Sequence, residues 1–356
     1  MKFKEFLKRK NIVISGRRYG VDALGAMAQG LFCSLLIGTI IKTIGQQAGI
    51  DFLVRVGQYA SEMAGPAMAI AIGYALKADP LVLFSLSVVG WSANAEGGAG
   101  GPLAVLVVAI IACEFGKAVS KETRVDILVT PLVTILVGVS LSILIAPPIG
   151  RAASYVGNLI MWATNLRPFL MGILVSVLVG VALTLPISSA AICAAFGLTG
   201  LAGGAAVAGC CAQMVGFAVL SFRENRWGGL VSQGIGTSML QMGNIVKNPR
   251  IWIPPILASA ITGPIATCVF KMQMNGAPVS SGMGTCGLVG QIGVITGWFS
   301  PSEQALSMGA SAISPTGVDW LGLILICFIL PGVLSWLFGL ILRRIGWIRE
   351  GDLKLS

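Results

Sequence analysis

The stretch Ile127–Ile145 (ILVTPLVTILVGVSLSILI) runs its whole length without a charged residue. A helix rises about 1.5 Å per residue, so roughly 20 apolar residues cross a hydrocarbon core of about 30 Å. Runs of similar character recur at Val21–Ile44, Pro102–Val119, Phe169–Leu185, Ile251–Phe270 and Leu321–Leu342. Of the 356 residues, 55% are hydrophobic and only 11% charged, where soluble domains carry about 25% charged residues. That balance excludes a soluble enzyme, a disordered chain and a secreted disulfide scaffold. The chain reads as an all-α polytopic membrane protein.

Some segments do not fit a full crossing. Met63–Leu76 and Leu81–Trp91 are short, Ala190–Leu220 is long, and the glycine-rich stretches Gly197–Gly209 and Gly228–Gly243 interrupt the pattern. We expect about ten membrane segments, including re-entrant hairpins or half-helices. Arg151–Asn165 (RAASYVGNLIMWATN) spaces polar residues on an apolar background. It predicts an interfacial connector or a shielded core segment, with a soft internal boundary near 150–168.

The net charge is +10, and its placement is uneven. Lys2, Lys4, Lys8, Arg9, Lys10, Arg17 and Arg18 stand against Glu5 at the start, and Arg343, Arg344, Arg349 and Lys354 gather near the end. Lys and Arg concentrate on cytoplasmic flanks. Residues 1–18 therefore read as a basic cytoplasmic segment, and both termini are expected in the cytoplasm with an even number of crossings. Sparse aromatic interleaving argues against nucleic acid as a partner. No short apolar core with a small-residue cleavage site follows, so a cleaved signal peptide is not expected. The sequence has no histidine, which removes Ser-His-Asp and Cys-His catalysis and His-ligated metals. The eight cysteines lie mostly in apolar segments without a C-x-x-C pair. They read as packing residues, and neither a metal nor a cofactor is expected.

Two loops carry the candidate chemistry. Asn94-Ala-Glu-Gly-Gly-Ala-Gly-Gly-Pro102 separates two apolar runs and is too flexible to be helical on composition. Irregular backbone at membrane depth survives only where protein buries it or a wet cavity faces it. Asn94 and Glu96 thus become candidates for a polar solute, against the plainer reading of an exposed turn. Asn275-Gly-Ala-Pro-Val-Ser-Ser-Gly-Met-Gly-Thr285 continues to Gln291 and offers Asn275, Ser280, Ser281 and Thr285. Hydroxyls, amides and open backbone suit a neutral polyol or a small anion. No G-x-x-x-x-G-K-[ST] occurs, so a nucleotide phosphate loop is unsupported.

Among the remaining polar residues, Glu62 precedes a kink motif at Gly65-Pro66, and ionisable groups within spans are functional candidates. The amides Gln213, Gln233, Gln241 and Asn244 either bind helices together or line a site; Gln241 joins Glu62 as a supporting candidate. Asp22 is expected to pair with Arg17 or Arg18. Glu114–Asp126 and Arg223–Arg226 read as solvated loops, and Glu303 and Asp319 as exposed flanks of the last span.

The order of these pieces resembles a known family. Arg18-Tyr-Gly-Val-Asp-Ala-Leu-Gly-Ala-Met-Ala28, the Asn94–Pro102 loop, Asn244-Ile-Val-Lys-Asn-Pro-Arg-Ile-Trp-Ile-Pro-Pro255 and Asn275–Gly287 are similar to IIC-like membrane proteins of the bacterial sugar phosphotransferase system. The similar branch is the one that includes the perfringolysin regulatory protein. The resemblance implies a IIC-type permease architecture over residues 19–356 as a single membrane domain. It further implies a homodimer in the bacterial cytoplasmic membrane, a sugar moved by alternating access, and a separate IIB protein that phosphorylates it. Glu96 takes the loop-carboxylate role. The histidine often found in such sites has no counterpart, and no IIA- or IIB-like domain is attached. A ligand sensor without phosphorylation-coupled transport, or a transporter of another small solute or anion, therefore stays open beside the permease.

Overall fold

The computed structural model describes residues 2–355. The chain divides into two compact units, 1–152 and 153–356. Among the described residues, six helical stretches are long and apolar enough to cross a membrane, and three shorter apolar helices accompany them.

In the first unit, α1 (Lys2–Arg9) leads to α2 (Arg18–Ala48), which ends on Gly49 with φ +67°. The next two helices, α3 (Asp51–Glu62) and α4 (Ala64–Ala75), are separated at Met63. Next come α5 (Pro80–Gly97) and α6 (Gly101–Val119), then α7 (Asp126–Thr164), a single helix of 39 residues that carries Pro131, Pro147 and Pro148 inside it. The boundary between the units falls within α7. Pro80 and Pro102 sit in the first turns of their helices, where a missing N–H leaves no bond unmade.

By length α5 and α6 form one apolar stretch, Pro80–Val119, yet the backbone folds it into a hairpin. A Cβ placed on Gly101 would come within 2.5 Å of Asn94 Oδ1, and one on Gly116 within 2.9 Å of a Val82 methyl. Residues so distant along one straight helix cannot meet, so the two helices run antiparallel. The reversal uses Gly98 at φ +49°, a conformation glycine adopts without Cβ strain. Helices pack closely here through small residues: a Cβ on Gly65 of α4 would lie 2.3 Å from the Gly90 carbonyl of α5.

The second unit begins with the end of α7 and continues through α8 (Pro168–Thr184), the short α9 (Ser189–Ala195) and α10 (Gly200–Leu220). It then passes through α11 (Phe222–Val231), α12 (Met242–Lys247) and α13 (Pro249–Val269). An irregular stretch leads to α14 (Val289–Phe299), α15 (Glu303–Ser307) and α16 (Gly317–Arg344). α10 is the axis of this unit, with every residue from Gly203 to Met214 buried. A helix that is apolar all round belongs inside a bundle. Its small residues let neighbours approach until backbones touch: a Cβ on Gly209 would fall 1.8 Å from the Ser176 carbonyl oxygen of α8.

Several local expectations change. Asn94, Ala95 and Glu96 are helical, in the last turn of α5, because Gly98–Gly100 alone suffice for the turn. Only Phe196–Thr199 interrupt the chain between α9 and α10, and Gly200 to Gly209 are helical. Arg151–Thr164 continues α7 instead of forming a separate connector. Glu114 and Lys117 lie on α6, and Lys117 is 2% exposed, paired with Glu114 at 2.9 Å. Arg223–Arg226 belong to α11, where the Glu224 side chain is 5% exposed and accepts from Arg343 at 2.7 Å. Arg18 turns away from Asp22 and donates to Asn11 Oδ1 at 3.1 Å and to the Leu76 carbonyl at 2.5 Å. Glu303 is exposed, whereas Asp319 is half-buried and caps α16 through Thr316.

Candidate functional site

Three of the candidates, Glu62, Asn94 and Glu96, lie in the first unit. Asn94 is held between neighbours, its Cβ against Gly65 of α4 and its amide against Gly101 at the start of α6. Glu96, two residues on, is exposed beside the glycine turn. Glu62 is also exposed, at the end of α3, and accepts from Gln58 Nε2 at 2.9 Å. The hairpin carries opposite chemistry at its two ends. Its base starts next to Asp79, which pairs with Lys121 at 2.6 Å. Glu96 lies about 24 Å further along the helix axis.

The other five candidates lie in the second unit. Here the stretch 185–200, which includes the short α9, and the irregular segment 270–288 are stitched together. Gly200 and Met274 exchange backbone hydrogen bonds at 2.9 and 3.0 Å. Ser281 Oγ donates to the Leu198 carbonyl at 2.6 Å, and Ser189 Oγ to the Gly282 carbonyl at 2.7 Å. Ser280, Ser281 and Thr285 are buried, and Thr285 donates to Met214 Sδ at 3.5 Å. Ser281 thus holds the loop in place. Asn275 is buried too, with its backbone pressed against Gly297 of α14. Its Nδ2 donates to Gln273 Oε1 at 3.0 Å, while no protein donor reaches its Oδ1. Gln291 has the same character: Nε2 donates to Cys211 Sγ at 3.2 Å, and Oε1 is buried without a donor.

A buried carbonyl oxygen without a donor is costly, by about 1–3 kcal/mol. Two such acceptors, one on the irregular hydroxyl-rich segment and one in the first turn of α14 that follows it, suit a solute that brings its own hydroxyl donors. Sequence reasoning had Gln291 only as the end of the loop. Its signal was an amide in a glycine-rich apolar stretch, the same signal that brought out the other glutamines.

Those glutamines have structural partners. Gln241 belongs to an amide clasp on the tail that follows α16. Its Nε2 donates to Gln233 Oε1 at 2.9 Å and to the Leu353 carbonyl at 3.0 Å, and its Oε1 accepts from Asn244 at 2.8 Å. Asn225 and Asn244 donate to the carbonyls of Leu353 and Lys354. Gln213, in the middle of α10, accepts from Trp252 Nε1 at 2.8 Å and from Thr184 at 3.3 Å, and donates to Ser259 at 3.3 Å. These amides join helices.

A family model described as phosphotransferase system, EIIC matches residues 21–355. The chain belongs to this family. EIIC proteins are the membrane components of sugar transport in that system, and transport is their work in place of catalysis. No curated protein and no solved structure matches this EIIC chain. The match spans both units and so covers the α5–α6 hairpin as well as the hydrogen-bonded stretches 185–200 and 270–288. This EIIC protein is an integral membrane protein that works with other components of the phosphotransferase system.

Proposed function

We propose that this protein binds a sugar or similar polyol through the segment 275–291, an irregular stretch and the start of α14, and moves it across the bacterial cytoplasmic membrane by alternating access. The observation that carries the reading is the pair of buried, donorless acceptors, Asn275 Oδ1 and Gln291 Oε1. A neutral polyol supplies several directional O–H donors and no charge to desolvate, which fits acceptors enclosed in apolar helices. Broken helices that expose backbone near a bilayer's middle are a common place for transporter sites. Ser280 supports the loop, and Glu96 and Asn94, in the last turn of α5 before the glycine turn, are further groups for solute hydroxyls, each on its own face of the helix. Glu62 and Gln241 stand behind these as supporting groups, Gln241 through its hold on the tail.

We further propose a homodimer, with both basic termini in the cytoplasm, served by a separate IIB protein that phosphorylates the sugar. A second reading is favoured by one observation: the sequence has no histidine. On that reading the same site senses a sugar without phosphorylation-coupled uptake.

The test is binding and uptake by purified, reconstituted protein across a panel of sugars, comparing wild type with Asn275→Leu, Gln291→Leu and Glu96→Gln. At least one sugar is expected to bind, with affinity lowered about tenfold by each loop substitution, the loss of one net hydrogen bond to a solute. If no sugar binds, or if both loop variants bind as wild type does, the site is wrong. Binding without uptake, with or without a IIB partner, selects the sensor.

A further inference from the structure

A cavity stands apart from the sugar-binding reading, at the base of the hairpin in the first unit. It has a volume of about 370 Å³ and is lined by Arg9, Lys10, Lys77, Lys117 and Lys121, with Asp79 and Glu122 the only carboxylates among its walls. The plain role of some of these cations is to satisfy helix C-termini, where carbonyls lack partners. Lys117 fills that role completely: its three donors go to the Asn11 and Leu76 carbonyls at 2.8 and 3.1 Å and to Glu114 at 2.9 Å. Lys10 donates to the Ser120 carbonyl and to Glu122.

The other three cations are not absorbed in this way. Lys77 is exposed and makes no ion pair among the described residues. Arg9 and Lys121 hold Glu122 and Asp79 while remaining 63% and 69% exposed, and exposed pairs of this kind are weak. Asn11, Lys77 and Lys121 also take left-handed backbone, with φ of +53°, +56° and +60°, so three of the chain's strained non-glycine residues line one cavity. Exposed apolar side chains follow closely in the chain: Ile14, Tyr74, Ile127 and Leu128. Phosphates beside acyl chains are what a bilayer offers to cations with exposed apolar side chains a few residues away in the chain.

We propose that this cavity is a phosphate-ester site, held by Arg9, Lys77 and Lys121, that takes the headgroup phosphate of an anionic phospholipid. The neighbouring apolar residues receive the acyl chains, and Lys10 and Lys117 form the fixed floor. The same chemistry accepts a soluble phosphate ester, so the experiment separates the two sources.

Native mass spectrometry of the full chain released from nanodiscs would compare retention of phosphatidylglycerol with that of phosphatidylcholine. The comparison is made for wild type and for Arg9→Gln, Lys77→Gln and Lys121→Gln singly and combined. All three positions are exposed, so the fold is expected to survive, and a thermal melt in detergent checks it. Preference for phosphatidylglycerol is expected, falling about fivefold for each cation removed. A parallel titration of delipidated protein with glycerol 3-phosphate identifies the source. Binding there without a lipid preference keeps the phosphate site and overturns the lipid. No preference together with no glycerol 3-phosphate binding overturns the site, as does a preference unchanged in the triple variant.

Discussion

Asn275 and Gln213 illustrate two fates for a buried amide. Gln213 has donors and an acceptor around it. Gln213→Leu leaves Trp252 Nε1 without its acceptor, and is expected to destabilise by about 1–3 kcal/mol, read as a lower melting temperature in detergent. Asn275 and Gln291 carry buried oxygens that no protein donor reaches. Leucine there removes an unmet demand, so Asn275→Leu and Gln291→Leu are expected to leave the melting temperature unchanged or raise it without sugar. Wild type, in turn, is expected to gain stability on adding the sugar it binds. A purely structural role for these amides would lower it in both conditions. The sequence marked every one of these residues, since an amide in an apolar run is conspicuous. Which amides have partners was not legible, because Gln213 meets Trp252 and Ser259 only after α10 and α13 pack.

The α5–α6 hairpin and the α8–α10 contact are where element-level physics decides the fold. Gly209 lies where any Cβ would collide with the Ser176 carbonyl, and backbone cannot give way as the end of a side chain can. Gly209→Val is therefore expected to abolish folded protein, measured as loss of the monodisperse peak in size-exclusion chromatography. Gly228→Val, where nothing lies within 4 Å, is the control. At the hairpin base, a hydrogen bond from Lys121 holds the Asp79 carboxyl below its usual range, and the bond from Lys10 does the same for Glu122. Depressed carboxylates contribute stability above their unfolded value, lost as pH falls through the folded one; Lys121, raised by the same Asp79 bond, contributes below its unfolded value and loses it at strongly alkaline pH. The base is thus expected to hold steadily from about pH 6 to 9 and to loosen below about pH 4. Hydrogen exchange at Ser120–Glu122, corrected for intrinsic rates, checks this. Composition suggested an irregular Asn94–Pro102, whereas three glycine-rich residues complete the turn and helix resumes on both sides.

At the scale of the whole molecule, the chain's basic ends predict their own location. Cysteines introduced at Lys8 and Arg349 are both expected to react with a membrane-impermeant maleimide only in inside-out vesicles, since Lys and Arg resist translocation. Labelling of either from the outside would overturn the assignment of both termini to the cytoplasm. The membrane class and the helical fold were set by the sequence, whereas the places where helices break were set only in part, since Asn94–Glu96 and Gly200–Gly209 are helical. Hydrophobic length and glycine content are local properties, and a bilayer reads them segment by segment. The tertiary structure decided which polar groups are paired and which stand open. Glu224 finds Arg343 well over a hundred residues later, and Gln241 finds the carbonyl of Leu353. Such pairings depend on which helix faces meet, and no local pattern along the chain encodes that.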